Sequence, residues 1–383
     1  MSHTKKKLGI FVDWYLPAYK AGGPIQSVAN LVGRLKKDLD ISVITSNSDL
    51  NETLDIPDNR LNTWVDMDGY RVMYIDAKHQ NYKFIEATVN IASFDVVYFN
   101  SLFSLKFMMM PLWILRNQPV RKVLATRGML AKGALALKPL KKKMFLNLFK
   151  WSGLHKKLVW HATSQTEYEE IKTHFGHNRN VILAPNLSSL TKSTPYSKEK
   201  NPNELRLFFL SRIAIKKNLL GALNSLSKVH SDYKINFTII GPIDETAYWD
   251  KCSARIDALP GHIEVNYLGA IPNQQISSHL KEEHVLLLPT YGENFGHVIM
   301  ESWQSGCPVI ISDQTPWRDL KRQKLGFDLP LSNEQSFTEA IEFFCKMSGQ
   351  DYSQWSLASH GFSKTFVEDP STLEKNKNLF ALQ

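Results

Sequence analysis

Short, nearly continuous apolar runs recur along this chain, and longer amphipathic stretches separate them. In the first half the runs are Leu8–Val12, Ile41–Thr45, Arg71–Ile75, Val96–Phe99, Lys122–Ala125, Val159–Ala162 and Val181–Leu183. Runs this short suit strands buried on both faces, and helical patterns such as Ile25–Leu35 and Thr166–His174 fall between them. A second series comprises Leu205–Leu210, Asn236–Ile240, Glu264–Leu268, His284–Leu288 and Val309–Ser312. Its helical patterns lie at Leu219–Val229, Asn273–Leu280, His297–Ser305 and Ser336–Cys345. Strand–helix alternation of this kind predicts parallel sheets covered by helices, an α/β class.

Between the two series, Asn186 to Glu204 is polar, contains proline and has no period. The expected organisation is an N-terminal α/β domain over 1–188, a linker over 189–204 and a second α/β domain over 205–364. A helical segment over 365–383 is expected to return to the first domain. Two such halves imply a cleft, with ligands at the carboxyl ends of the strands.

A chain of 383 residues suffices for two or three domains. Its three cysteines, Cys252, Cys307 and Cys345, are odd in number and lack metal-ligand spacing, which suits a reducing, cytoplasmic compartment. The basic start of MSHTKKKLGIFVDWYLP resembles a secretory leader. However, Asp13 interrupts the apolar run and no small-residue cleavage site follows, so a first strand is the better reading. Leu102 to Leu115 contains Lys106 and Pro111, is too short to span a bilayer, and is expected to be a core helix.

The net charge of +9 is unevenly spread, with no Asp or Glu from Val96 to Gln165. The segment Lys138–Trp160 mixes lysines with Phe, Leu and Trp. One reading is a solvated basic helix face. The other is an interfacial helix drawn to an anionic membrane surface, which would hold the protein on the inner face of the cytoplasmic membrane. No helix-turn-helix, zinc-finger or RNP pattern is present, so nucleic acid is not an expected partner.

Three segments carry chemistry. In the run Leu286 to Ile310 a buried strand gives way to a loop with Pro289, Gly292 and Gly296, then to a helix that Gly306 stops. Glu293 sits in the loop and Glu301 in the helix. Backbone N–H groups at Asn294, Phe295, Gly296 and His297 would point out of the helix start, which favours a diphosphate. The two carboxylates beside it suit sugar and ribose hydroxyls, although a helix-capping role for Glu293 is the plainer alternative. In the second segment, Phe208 to Leu219, Arg212 and Lys217 follow a strand end and would hold the same diphosphate. Lys216 could replace Lys217. Third, Gly22 and Gly23 after the first strand let backbone approach a ligand, with Pro24 at a helix start. Arg127, Asn100 and Ser101 also follow strands, and Arg127 could face the cleft. His161 reads as a satisfied core histidine. No HxxE, DxD or Cys/His ligand set occurs in a convincing context, so neither a metal nor another cofactor is expected.

Together these segments resemble the retaining GT-B glycosyltransferases of family 4, the glycosyl transferases group 1. The resemblance is specific in the second half and weak in the first. It implies two Rossmann-like domains facing each other across a cleft, with the acceptor handled by the first and a nucleotide-sugar donor by the second. It assigns Arg212 and Lys217 to the diphosphate as an Arg-x4-Lys pair. It assigns Glu293 to the donor sugar and Glu301 to the ribose as a Glu-x7-Glu motif, and Gly22 and Gly23 to the glycine loop. The run Thr126-Arg-Gly-Met-Leu looks like members that assemble bacterial surface polysaccharide on lipid-linked acceptors. Many members also place a first-domain histidine near the donor sugar; here its equivalent is not identified, and Arg127 or Asn100 is the candidate to take its place. The implied mechanism is front-face attack without a metal, with catalysis resting on Glu293, Arg212 and Lys217. A sugar-nucleotide epimerase or phosphorylase on the same fold, or a non-catalytic basic membrane-surface binder, are the alternative readings.

Overall fold

The chain is seen in a computed structural model that describes residues 5–190 and 197–382. It divides into two compact units, one formed by Met1–Ser189 with Asp369–Gln383 and the other by Leu190–Glu368.

The first unit is built on an eight-stranded sheet. Its strands are β1 (Lys7–Phe11), β2 (Asp40–Ser46), β5 (Trp64–Asp66), β6 (Arg71–Ile75), β7 (Val96–Phe99), β8 (Arg121–Ala125), β9 (Val159–Ala162) and β10 (Asn180–Leu183). A small separate hairpin, β3 (Ser48–Asp49) and β4 (Glu52–Thr53), lies between β2 and β5. The sheet order is β10-β9-β8-β7-β1-β2-β6-β5, parallel throughout except for the β5/β6 edge. Its interior strands are apolar runs because both faces are covered. One face is closed by the helix Gly23–Leu35 through Val28, Leu31, Val32 and Leu35. The C-terminal helix Pro370–Leu379 brings Leu379 and Phe380 into this same core, where the Phe380 ring packs edge-on to Tyr98 with centroids 5.9 Å apart. The opposite face carries the helices Tyr82–Ala92 and Pro139–Trp151.

The second unit contains β11 (Glu204–Leu210), β12 (Lys234–Ile240), β13 (Ile263–Gly269), β14 (Val285–Leu288), β15 (Val309–Ser312) and β16 (Gly326–Leu329). All pairs are parallel, in the order β13-β12-β11-β14-β15-β16. Numbered within the unit this is 3-2-1-4-5-6, the doubly wound order whose direction reverses between its first and fourth strands. That reversal falls between β11 and β14.

Leu102 to Leu115 does not form one regular helix. A π-helical turn spans Leu105–Met109, an α-helix spans Met110–Ile114, and a 3-10 turn follows. Pro111 has no N–H to donate to the preceding turn, and the widened turn absorbs that loss. Residues 197–203, polar enough to read as linker, belong to the second unit, where Lys198 Nζ donates to the Glu283 carbonyl at 2.6 Å and Lys200 Nζ to Asn201 at 2.7 Å. The rest of that expected linker, 191–196, lies outside the described residues. Among the described residues no helix is long and apolar enough to cross a membrane.

Candidate functional site

In the second unit, three loops leave the carboxyl ends of β11, β12 and β14 and are laced together by backbone. Ile213 N donates to Pro242 O at 2.8 Å and Asp244 N to Ile213 O at 3.1 Å. Tyr291 N donates to Lys216 O at 2.9 Å, and Asn218 Nδ2 to Pro289 O at 2.8 Å. Gly241, at φ +147°, permits the first of these approaches, because a Cβ there would collide with the Ser211 carbonyl. Asn218, at φ +58°, turns the chain and caps the helix Leu219–Leu226 through Gly221 N.

This lacing brings Lys217 of the β11 loop to Glu293 of the β14 loop, where ammonium and carboxylate form a close ion pair. Arg212 Nη1 donates to Asp244 Oδ2 at 2.6 Å. The spacing favours Lys217, with the adjacent Lys216 as its substitute. In the structure Lys217 meets Glu293, while Lys216 offers its carbonyl to Thr290 and Tyr291. Three groups expected at the diphosphate and donor sugar thus stand at the strand-order reversal, where ligands bind in open α/β sheets.

The helix His297–Gln304 starts at Gly296, whose φ of +78° suits glycine. Its N-terminal end carries the positive pole of the helix dipole. The Phe295 side chain is buried against Trp317, and Trp317 Nε1 donates to Phe295 O at 2.7 Å, so this residue anchors the loop while leaving only backbone for a ligand. Asn294 precedes it in the same loop. One turn into the helix, Glu301 accepts from Asn273 Nδ2 at 3.2 Å, and burial raises its carboxyl above the ordinary range.

In the first unit the sheet reverses between β1 and β7, and the expected residues again gather at the carboxyl ends. The turn before Gly22 is fixed by the buried Asp49 carboxylate, which accepts from Tyr19 N at 2.7 Å, Lys20 N at 2.8 Å and Ala21 N at 3.1 Å. Gly22, at φ +73°, then opens the helix that begins at Gly23. Asn100 Nδ2 donates to Pro24 O at 3.2 Å, which ties this loop to the end of β7.

Arg127 occupies the left-handed region at φ +53°. Its guanidinium is bonded on all sides within the unit: Nε donates to Asn100 Oδ1 at 2.7 Å, Nη2 to Tyr98 Oη at 2.7 Å, and Nη1 closely to Asn186 Oδ1. Tyr98 Oη meets His161 Nδ1 at 2.9 Å, and His161 Nε2 meets Ala184 O at 2.8 Å. Because Nε2 faces a carbonyl it carries the proton, so Nδ1 accepts from Tyr98. Burial and the nearby Arg127 charge hold His161 near a pKa of about 4, so it is a neutral, satisfied core histidine.

Sequence reading missed Asp244, Asn273, Asp49 and Tyr98. Asp244 had a usable signal, since it follows Gly241-Pro242 at a strand end. The other three act across distant segments and carry no local pattern. Among the described residues, no three His, Cys, Asp or Glu side chains converge as metal ligands do.

Residues 192–358 match the family of glycosyl transferases group 1. A curated D-inositol 3-phosphate glycosyltransferase of Pseudarthrobacter chlorophenolicus is 24% identical over 160 residues. The match covers 39% of this chain and 38% of that relative. Among solved structures, the Anabaena protein HepE in complex with UDP-glucose is similar at a TM-score of 0.68 and 13% identity, covering 98% of both chains. WaaG, a glycosyltransferase involved in lipopolysaccharide biosynthesis, is similar at a TM-score of 0.69 and 12% identity, covering 98% of this chain and 100% of its own. Likenesses at this identity establish a shared fold, GT-B.

Proposed function

From the match of residues 192–358 to the glycosyl transferases group 1 family, we propose that the protein is a retaining glycosyltransferase moving a sugar from a nucleoside-diphosphate-sugar to an acceptor hydroxyl. One observation carries the reading: Lys217 and Glu293, from the loops after β11 and β14, form an ion pair beside the strand-order reversal, and Arg212 of the same β11 loop is held by Asp244 of the β12 loop. Cleavage of the donor leaves negative charge on the diphosphate. Arg212, with its two-pronged guanidinium, and Lys217, as a point charge, meet that charge from fixed positions. The start of the helix His297–Gln304 adds its dipole through the backbone of Asn294, Phe295 and Gly296.

Glu293 is assigned to the donor-sugar hydroxyls and Glu301 to the ribose. In the free protein Glu293 neutralises Lys217; with donor present, the diphosphate takes over that cation and Glu293 turns to the sugar. For retention, the acceptor hydroxyl attacks from the face the diphosphate leaves, and a leaving phosphate oxygen takes the hydroxyl proton. Because Arg212 and Lys217 supply the positive charge, no metal enters this scheme. In the first unit, Gly22 and Gly23 present backbone to a ligand. Arg127 fixes Asn100 beside Pro24, so its charge lies directly behind that loop.

The acceptor we propose is a lipid-linked saccharide of a surface polysaccharide, handled on the cytoplasmic face of an anionic membrane through Lys138–Trp160. Support comes from the fold shared with WaaG and from the basic, apolar composition of that segment. The test is calorimetric affinity for nucleoside diphosphates in excess EDTA, followed by turnover on lipid-linked acceptors. Arg212→Ala and Lys217→Ala should each remove a charge-assisted contact of about 1.5–3 kcal/mol, lowering affinity about tenfold or more. Unchanged affinity in both variants refutes the site; binding that appears only without EDTA refutes the metal-free scheme.

A further inference from the structure

The helix Pro139–Trp151 has two apolar faces where a surface helix needs one. Leu146 and Phe149 point inward, and Phe149 packs against Trp160 and Phe175 with ring centroids 6.5 and 6.0 Å apart. That contact suffices to hold the helix on the sheet. A second set, Leu140, Met144, Leu148 and Trp151, recurs at spacings of four, four and three, and all four side chains are exposed, Leu140 at 82% and Trp151 at 87%. At roughly 100° per residue these four fall within about 80° of the helix circumference. Leu137, just before the helix, extends the row.

The polar positions around this row are not random. On the same helical wheel Lys143 borders it on one side and Lys141 on the other, both exposed, while Lys150 lies farther round with its Nζ over the Phe175 ring, 5.6 Å from the centroid. Lys142, on the inward side, is turned away to donate to Ala134 O. From Val96 through Thr166 the chain has thirteen Lys and Arg and no Asp or Glu. Lone exposed apolar residues are ordinary; a continuous row rimmed by cations within an acid-free segment is not.

We infer that Leu140, Met144, Leu148 and Trp151 enter the acyl boundary of an anionic phospholipid bilayer, with Lys141 and Lys143 seated at the headgroup phosphates. This deepens the peripheral location proposed above, from attraction to a charged surface to insertion by one helix face. Charge complementarity selects the occupant. A second copy of this chain would bring one lysine rim against another, whereas a bilayer of anionic lipid supplies phosphates for the rim and hydrocarbon for the row. Long lysine stems can lie along the apolar row while their ammonium groups reach outward.

The experiment uses the full chain and plain vesicles of phosphatidylcholine with or without phosphatidylglycerol, with no sugar donor or acceptor. It therefore reads insertion whether or not the transferase reading holds. The native cysteines are all buried, so an environment-sensitive dye can be placed through Met144→Cys, with Lys37→Cys as control. Lys37 is exposed just beyond the helix Gly23–Leu35, which covers the opposite face of the sheet. With anionic vesicles the dye at 144 should shift to the blue and be quenched by lipids brominated in their acyl chains, while the dye at 37 should show neither. The triple variant Leu140→Ser, Leu148→Ser, Trp151→Ser should keep the parent's melting temperature and bind anionic vesicles about tenfold or more weakly. Three results would overturn the inference: a dye at 144 that stays aqueous while the protein binds vesicles, a triple variant that binds as the parent does, or a dimer in sedimentation that the triple variant abolishes. Displacement of bound protein from vesicles by RNA with retained affinity for RNA in the triple variant would likewise reassign the basic surface.

Discussion

Replacing Glu293 by glutamine should strengthen nucleoside-diphosphate binding while slowing sugar transfer. In the free protein the Lys217 ammonium is paired with Glu293, and the two side chains are only 16% and 12% exposed. A bound diphosphate must therefore compete with a carboxylate for that cation. Glutamine keeps the shape and removes the competitor, leaving Lys217 without its counterion in a partly desolvated place. The diphosphate then supplies the missing charge. A hydrogen bond to a charged group contributes about 1.5–3 kcal/mol, and partial solvent screening argues for the lower end. Since about 1.4 kcal/mol is tenfold, the expected gain is about tenfold in Kd. Titration calorimetry of UDP and GDP against both proteins measures it, and the gain should shrink as salt is raised. Turnover with the full donor should fall sharply, because Glu293 serves the reacting sugar rather than the nucleotide. Weaker diphosphate binding in Glu293→Gln would show that Glu293 contacts the nucleotide and refute the competition argument.

Glu301 is raised by burial, and only its carboxylate can accept from both ribose hydroxyls, so nucleoside-diphosphate affinity should rise with pH as it ionises; Glu301→Gln should flatten that profile in the same titration. Glu283 at the opposite end of the sheet is pushed by burial from 4.5 to about 7. A carboxyl raised on folding favours the folded state at low pH, and that advantage disappears as pH climbs through the folded value. Between pH 5 and 8 the loss should be about 2–3 kcal/mol relative to Glu283→Gln, or roughly 5–10 °C in the calorimetric transition of the second unit; parallel profiles would contradict it. Gly241→Ala should lower both that transition and diphosphate affinity, since the displaced Ser211 carbonyl belongs to the loop carrying Arg212.

The strands buried on both faces were legible almost to the residue, as at Val96–Phe99 and Val309–Ser312, because a continuous apolar run has few other fates. Edges were not. The β16 strand is four residues with a glycine at φ +137° and no apolar run. The β5 strand is announced only by the Asp68-Gly69 turn that pairs it with β6, with Gly69 at φ +78°. At the site, Arg212, Lys217 and Glu293 could be picked out because each follows a strand end by a short interval, and Glu301 by its spacing from Glu293 in the helix that follows. Their partners could not, since Asp244 and Asn273 belong to other loops and depend on which strands lie side by side. Arg127 was legible as a residue after a strand, but its enclosure by Asn100, Tyr98 and Asn186 required the fold.

The return of Pro370–Leu379 to the first unit bears on how this protein is born. Leu379 and Phe380 complete a core otherwise made from residues before 190, and Arg121 Nε donates to the Leu379 carbonyl at 2.8 Å. On the ribosome, that core must wait unsealed while the whole of Leu190–Glu368 is made, which at roughly 5–20 residues per second takes on the order of ten seconds or more. During this interval Tyr98 and the strand ends around it lack their last apolar cover. The second unit, contiguous in sequence, meets no such delay and can close first. The half of the molecule synthesised first is therefore the half finished last, and shortening the chain by a dozen residues at its end would injure the nascent protein at its beginning.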